Sequence, residues 1–62
     1  MNVTRIPHPE VKEISTANSW YGLGPGQMFY STPKAWEIWQ ETPTLRFIKR
    51  IPRKRVFWVI EK

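Results

Sequence analysis

Apolar residues recur along this chain at two spacings, and each spacing predicts a different kind of element. Toward the C-terminus, Leu45-Arg-Phe-Ile-Lys-Arg50 and Arg55-Val-Phe-Trp-Val-Ile60 are dense in β-branched and aromatic residues and flank Ile51-Pro-Arg-Lys54, a segment with turn chemistry. The two runs predict a β-hairpin over residues 45–60. With Ile51 opposite Lys54, Phe47 faces Trp58 and Leu45 faces Ile60, and Val56 joins them on an apolar side. The other side then carries Arg46, Ile48 and Arg50, opposed by Val59, Phe57 and Arg55.

The segment before it reads with helical spacing. Ala35, Ile38 and Trp39 share one face of a 3.6-residue repeat, with Trp36 beside them, while Lys34, Glu37 and Glu41 line the other. Thr32 is a good N-cap and Pro33 suits the first helical position, where its missing N–H costs nothing. The predicted helix runs over about 33–41 and stops before Pro43. Its apolar face would pack on the hairpin, bringing Trp36, Ile38 and Trp39 against Leu45, Phe47, Trp58 and Ile60.

Upstream the pattern is more broken. Val3–Ile6 is a short strand candidate in an opening segment, residues 1–9, that can otherwise remain flexible. Pro7-His8-Pro9 imposes an extended or turned path. Val11-Lys-Glu-Ile14 fits a short strand or a helical turn equally well, and Ser15-Thr-Ala-Asn-Ser19 carries turn residues. Gly22-Leu-Gly-Pro-Gly26 is a loop, followed by a short aromatic strand at Met28-Phe29-Tyr30. The expected fold class is therefore α+β: a small antiparallel sheet, one short helix and a C-terminal β-hairpin, within a single small domain spanning 1–62.

Composition tightens this picture. A chain of 62 residues is near the lower limit for independent folding, and it has no cysteine with which to staple itself. It does hold four Trp, three Phe and two Tyr, enough aromatic bulk for a small core. Trp20, Tyr21, Phe29, Tyr30, Trp36 and Trp39 are accordingly assigned to the core, with an exposed remainder available as a contact surface or for burial in a homodimer. No run approaches a membrane span, and the opening residues lack the apolar core of a secretory signal. The expectation is an intracellular, cytoplasmic protein without a membrane span.

Charge adds the strongest functional signal. Residues 1–43 carry Arg5, Lys12 and Lys34 against Glu10, Glu13, Glu37 and Glu41, a balance of −1. Residues 44–62 carry Arg46, Lys49, Arg50, Arg53, Lys54, Arg55 and Lys62 against Glu61, a balance of +6, so the whole net charge of +5 sits at the C-terminal end. Such asymmetry points to an anionic partner. The site assigned from sequence is Arg46, Lys49, Arg50, Arg53, Lys54 and Arg55 for phosphates, with Phe57 as a surface on which a base can stack. The expected partner is nucleic acid, DNA or RNA. The alternative is a small regulator or inhibitor docking an acidic protein surface.

Other chemistry is poorly supported. The glycine loop lacks the Lys-Ser/Thr that a phosphate loop places directly after its glycines, and Gln27-Met28 stand there instead. His8 has no Asp or Cys to work with, because the chain contains neither, and reads as a solvated loop residue. Glu37 and Glu41 read as the polar face of the helix. No catalytic residue, metal ligand or cofactor is assigned, and the chain is read as a binding protein rather than an enzyme.

Overall fold

The computed structural model describes residues 4–61, and almost every segment with regular structure in it is a strand. Seven strands run in chain order: β1 Ile6–Pro7, β2 Val11–Thr16, β3 Trp20–Gly22, β4 Gln27–Ser31, β5 Ala35–Gln40, β6 Arg46–Pro52 and β7 Val56–Glu61. A single 3₁₀ turn, Arg53–Arg55, joins β6 to β7. All pairings are antiparallel, in one sheet of order β1-β4-β5-β6 and another of order β3-β2-β7.

The α+β expectation is overturned at both of its main elements. Residues 35–40 form the strand β5 rather than a helix, hydrogen-bonded to β4 on one side and β6 on the other. Residues 45–60 do contain two strands, but they do not pair with each other, so there is no C-terminal hairpin. β6 pairs with β5, the chain crosses to the other sheet through the 3₁₀ turn, and β7 pairs with β2. The expected contacts of Phe47 with Trp58 and Leu45 with Ile60 are replaced by Phe47 against Trp39 and by Ile60 against Glu13.

The physical reason lies in the Thr32–Ala35 turn. The Thr32 hydroxyl accepts hydrogen bonds from the N–H groups of Lys34 and Ala35, at 3.3 and 3.0 Å. This is the bonding an N-cap uses to open a helix, and it equally closes a tight turn. Here the Thr32 N–H also donates to the Ala35 carbonyl at 2.8 Å, so the chain reverses and β5 returns beside β4. Residues 35–38 of this central strand are buried on both faces. Along β5, Trp36 and Ile38 face the core while Ala35 and Glu37, also buried, sit on the opposite face under neighbouring side chains.

The two sheets enclose one hydrophobic cluster. Phe29, Trp36, Ile38 and Ile51 enter from the four-stranded sheet, and Val11 and Ile14 from the three-stranded one, with Tyr21, Leu23, Val56 and Val59 packed at the margin. Phe29 meets Trp36 edge-on at 6.5 Å between ring centroids, a favoured aromatic geometry. Trp20, assigned to the core from sequence, lies outside it at 74% exposure, and Tyr21, Tyr30 and Trp39 are half-buried. The loop over residues 23–26 turns through Gly26, whose φ of 74° is the left-handed conformation that glycine adopts without strain.

Three β-bulges decide which side chains reach water. Opposite β2, the register of β7 slips at Phe57, so Val56 and Val59 both pack on the core and the two aromatics between them, Phe57 and Trp58, both project outward. A second slip, in β2, lets Val11 and Ile14 both turn inward although they are three residues apart. The third, at Ile48 in β6, leaves Phe47 and Ile48 exposed side by side.

Candidate nucleic-acid interface

Four of the seven residues assigned from sequence are drawn to one place. Arg50, Arg53, Lys54 and Arg55 line an open cleft of 650 Å³, and Pro52 forms part of its wall. The cleft exists because β6 ends at Pro52 and the chain coils tightly through Arg53–Arg55 before entering β7, so consecutive cations fan outward from one turn instead of alternating along a strand. A fifth cation completes the set. Lys34, at the tip of the β4–β5 turn, joins the cleft because its carbonyl accepts the Arg53 N–H at 3.2 Å. Sequence reasoning missed Lys34, since nothing local in the chain signals its approach to a turn nineteen positions away.

The remaining assigned residues go elsewhere. Arg46 lies at the start of β6 opposite Gln40, at the other end of the strand. Lys49 pairs with Ile38 and places its amine 5.2 Å from the Tyr21 ring centroid, a cation–π arrangement between the sheets. Phe57 stands just beyond the 3₁₀ turn and lines a second depression of 420 Å³ together with Lys54, Arg55 and the β2–β3 turn, residues Thr16–Ser19.

Among the cleft cations, Arg53 has a structural duty as well. Its guanidinium lies 5.5 Å from the Trp36 ring centroid and its Nε donates to the Thr32 carbonyl at 2.8 Å. Arg50 faces Glu37 across the strand pair. Lys54 and Arg55 have no such attachment. Among the described residues the ion pairs are Arg5 with Glu37 and His8 with Glu10, so none of the five cleft cations is ion-paired within that set, and no carboxylate lines the cleft.

Two of the five acidic residues, Glu37 and Glu41, are engaged by side chains of the four-stranded sheet. Glu37, expected on a solvated helix surface, is only 7% exposed. Its Oε1 accepts from Arg5 Nε at 2.7 Å and from Trp39 Nε1 at 2.8 Å, and the Arg5 guanidinium sits 5.2 Å from the Trp39 ring centroid. Burial pushes the Glu37 carboxyl upward, but the hydrogen bonds from Trp39 and Arg5 and the charges of Arg5 and Arg50 outweigh it, and its pKa ends below the ordinary value. Glu41 accepts from the Tyr30 hydroxyl, which raises the phenol's pKa. His8, expected to be solvated, donates or accepts through Nε2 at 2.8 Å from Ser31 Oγ and packs its ring 4.8 Å from that of Trp36. Of these carboxylates Glu37 lies opposite Arg50 and offsets part of the cleft's positive charge, while Lys34, Arg53, Lys54 and Arg55 have no ion-pair partner among the described residues.

Among the described residues, no group of three or more His, Cys, Asp or Glu could hold a metal ion, and no helix is long and apolar enough to cross a membrane. Compared with protein-family models, with curated proteins and with solved structures, the chain matches none.

Proposed function

We propose that this protein is a non-enzymatic nucleic-acid-binding module whose phosphate contacts come from Lys34, Arg50, Arg53, Lys54 and Arg55. The observation that carries the reading is the convergence of these five cations, from two turns and a strand end, on one open cleft without a carboxylate. Like charges repel, so gathering them costs stability that an anionic ligand recovers. A phosphate backbone offers that anion as a continuous rail with condensed counterions, and releasing those counterions drives association. Arginines add forked, bidentate donors that match phosphate geometry, while Lys34 and Lys54 act as mobile point charges. The cleft is wide and open to solvent, a shape that suits an extended polymer better than a small enclosed substrate.

The test is charge reversal at the two cations with no structural attachment. Lys54→Glu with Arg55→Glu should leave the circular dichroism spectrum unchanged, should not lower the unfolding midpoint, and should abolish binding to a fluorescein-labelled oligonucleotide at 100 mM salt. Unchanged binding in a folded variant would refute the proposal. So would a dominant acidic protein retained in a nuclease-treated pull-down while no oligonucleotide binds at any salt.

A further inference from the structure

The outer face of the three-stranded sheet carries an arrangement that the basic cleft does not explain. Ser15, in the central strand β2, pairs with Trp20 of β3 on one side and with Trp58 of β7 on the other. Residues opposite one another in antiparallel strands project from the same face, so both indoles stand on one side of the sheet with the small Ser15 between them. Adjacent strands are about 4.8 Å apart, which sets the two tryptophan backbones about 10 Å from each other. Trp20 is 74% exposed and Trp58 67%, whereas Ser15 between them is only 6% exposed. A domain this short of core volume has turned two of its four tryptophans to water, and the bulge in β7 adds Phe57, 65% exposed, on the side of the 3₁₀ turn.

We propose that Trp20, Trp58 and Phe57 form a stacking platform for the unpaired bases of single-stranded nucleic acid, an inference that rests on the phosphate-binding reading above and deepens it. Ser15 is small and buried, so the sheet is low between the two indoles and a base can lie against either ring. Phe57 offers the next position, in the depression it shares with Lys54 and Arg55, so a strand leaving the tryptophans runs toward cations. At the opposite end of the face the next row holds Glu13, whose side chain lies across Gly22, and Ile60. That carboxylate repels phosphate and directs the strand toward the 3₁₀ turn. Duplex DNA cannot use the platform, because its bases already cover each other's faces, whereas every unpaired base offers one.

The experiment titrates the full chain with labelled 12-mers of deoxyuridine and of uridine and with a hairpin duplex of equal charge, following anisotropy and tryptophan fluorescence. Both single strands should quench the tryptophans and bind more tightly than the duplex, and a preference between them reports any role of the 2′-hydroxyl. Trp20→Ala and Trp58→Ala should each weaken single-strand binding by roughly 5- to 100-fold. Both variants should keep the duplex affinity, the salt dependence and the unfolding midpoint, and Trp58→Phe should restore much of the loss. Tryptophan variants that bind single strands as tightly as the parent would overturn the platform while leaving the basic cleft standing. A parent with no affinity for any oligonucleotide would overturn both readings. A concentration-dependent dimer that Trp58→Ala dissociates would overturn the platform by showing that this face covers a second copy of the chain.

Discussion

Replacing Glu37 by Gln isolates the charged group that, among the described residues, is buried on the outer face of the four-stranded sheet. The amide keeps the shape of the carboxylate and an oxygen where Arg5 Nε and Trp39 Nε1 both donate, at 2.7 and 2.8 Å, so what is lost is the charge. Charge-assisted hydrogen bonds are about twice as strong as neutral ones, which puts the loss at roughly 1 kcal/mol per bond before correction. Two terms reduce the total. The neutral amide recovers part of the desolvation cost of the carboxylate, and the Arg5 side chain is 40% exposed, so water screens its pairing. The net destabilisation is about 1 kcal/mol at pH 7, equivalent to a fall of about 8 °C in Tm for a domain of this size. Because the folded-state pKa of Glu37 lies below its ordinary value of 4.5, the stabilisation is complete above that pH and is lost as the pH falls through the folded-state value. Urea titrations at intervals below pH 7 should therefore show a gap between parent and variant that is constant above about pH 5 and narrows once the pH falls through the folded-state value. A gap of zero at pH 7, or one that widens as the pH falls, would refute this account of Glu37.

Three further outcomes follow from particular contacts. Gly26→Ala should cost about 2 kcal/mol in urea unfolding, since a β-carbon at φ 74° would also run into the Thr42 hydroxyl and the Gln40 amide. Ile14→Ala removes a fully buried side chain and should cost about 3 kcal/mol, a large part of the stability available to so short a chain, read as a population of unfolded protein by circular dichroism at 37 °C. Arg53→Ala should destabilise by about 2 kcal/mol through loss of the Thr32 hydrogen bond and the Trp36 contact, while Lys54→Ala should shift stability by less than about 0.5 kcal/mol. Equal effects at the two positions would remove the distinction drawn between them.

Local chemistry was legible in the sequence wherever one interaction decided it. Residues 23–26 form the glycine loop although Gly22 itself ends β3, Met28–Tyr30 lies in a strand, and the runs after Leu45 and after Arg55 are strands. Long-range pairing was not legible. Apolar runs on either side of a proline suggest a hairpin, but β6 and β7 find better partners in β5 and β2, and no pattern within residues 45–60 encodes that choice. The helix over 33–41 failed because Ala35, Ile38 and Trp39 satisfy a helical repeat while Trp36 and Ile38 equally satisfy a strand repeat, and Thr32 caps either structure. The strand is favoured by tertiary contacts: Arg5 pairs with Glu37 and Trp39 donates a hydrogen bond to it, which offsets burial of that carboxylate on the outer face of β5. Charge survived the wrong topology better than the apolar pattern did. Five cations within residues 49–55 had to stay close in any fold, and only Lys49, turned to the opposite face of β6 from Arg50, leaves the group. Trp20 and Trp58 meet across Ser15 only once β3 and β7 flank β2, so their pairing could not be read from the chain.

The account stands on five cations acting together at one cleft, and the salt dependence of oligonucleotide binding measures that directly. Between 50 and 300 mM salt the logarithm of the association constant should fall linearly with the logarithm of salt concentration, with a slope of about −4.5 on duplex and about −3.5 on single strands for five phosphates neutralised. Removing Lys54 and Arg55 should reduce the duplex slope by about 1.8. An affinity indifferent to salt, or a slope unchanged by the loss of both residues, would contradict the account.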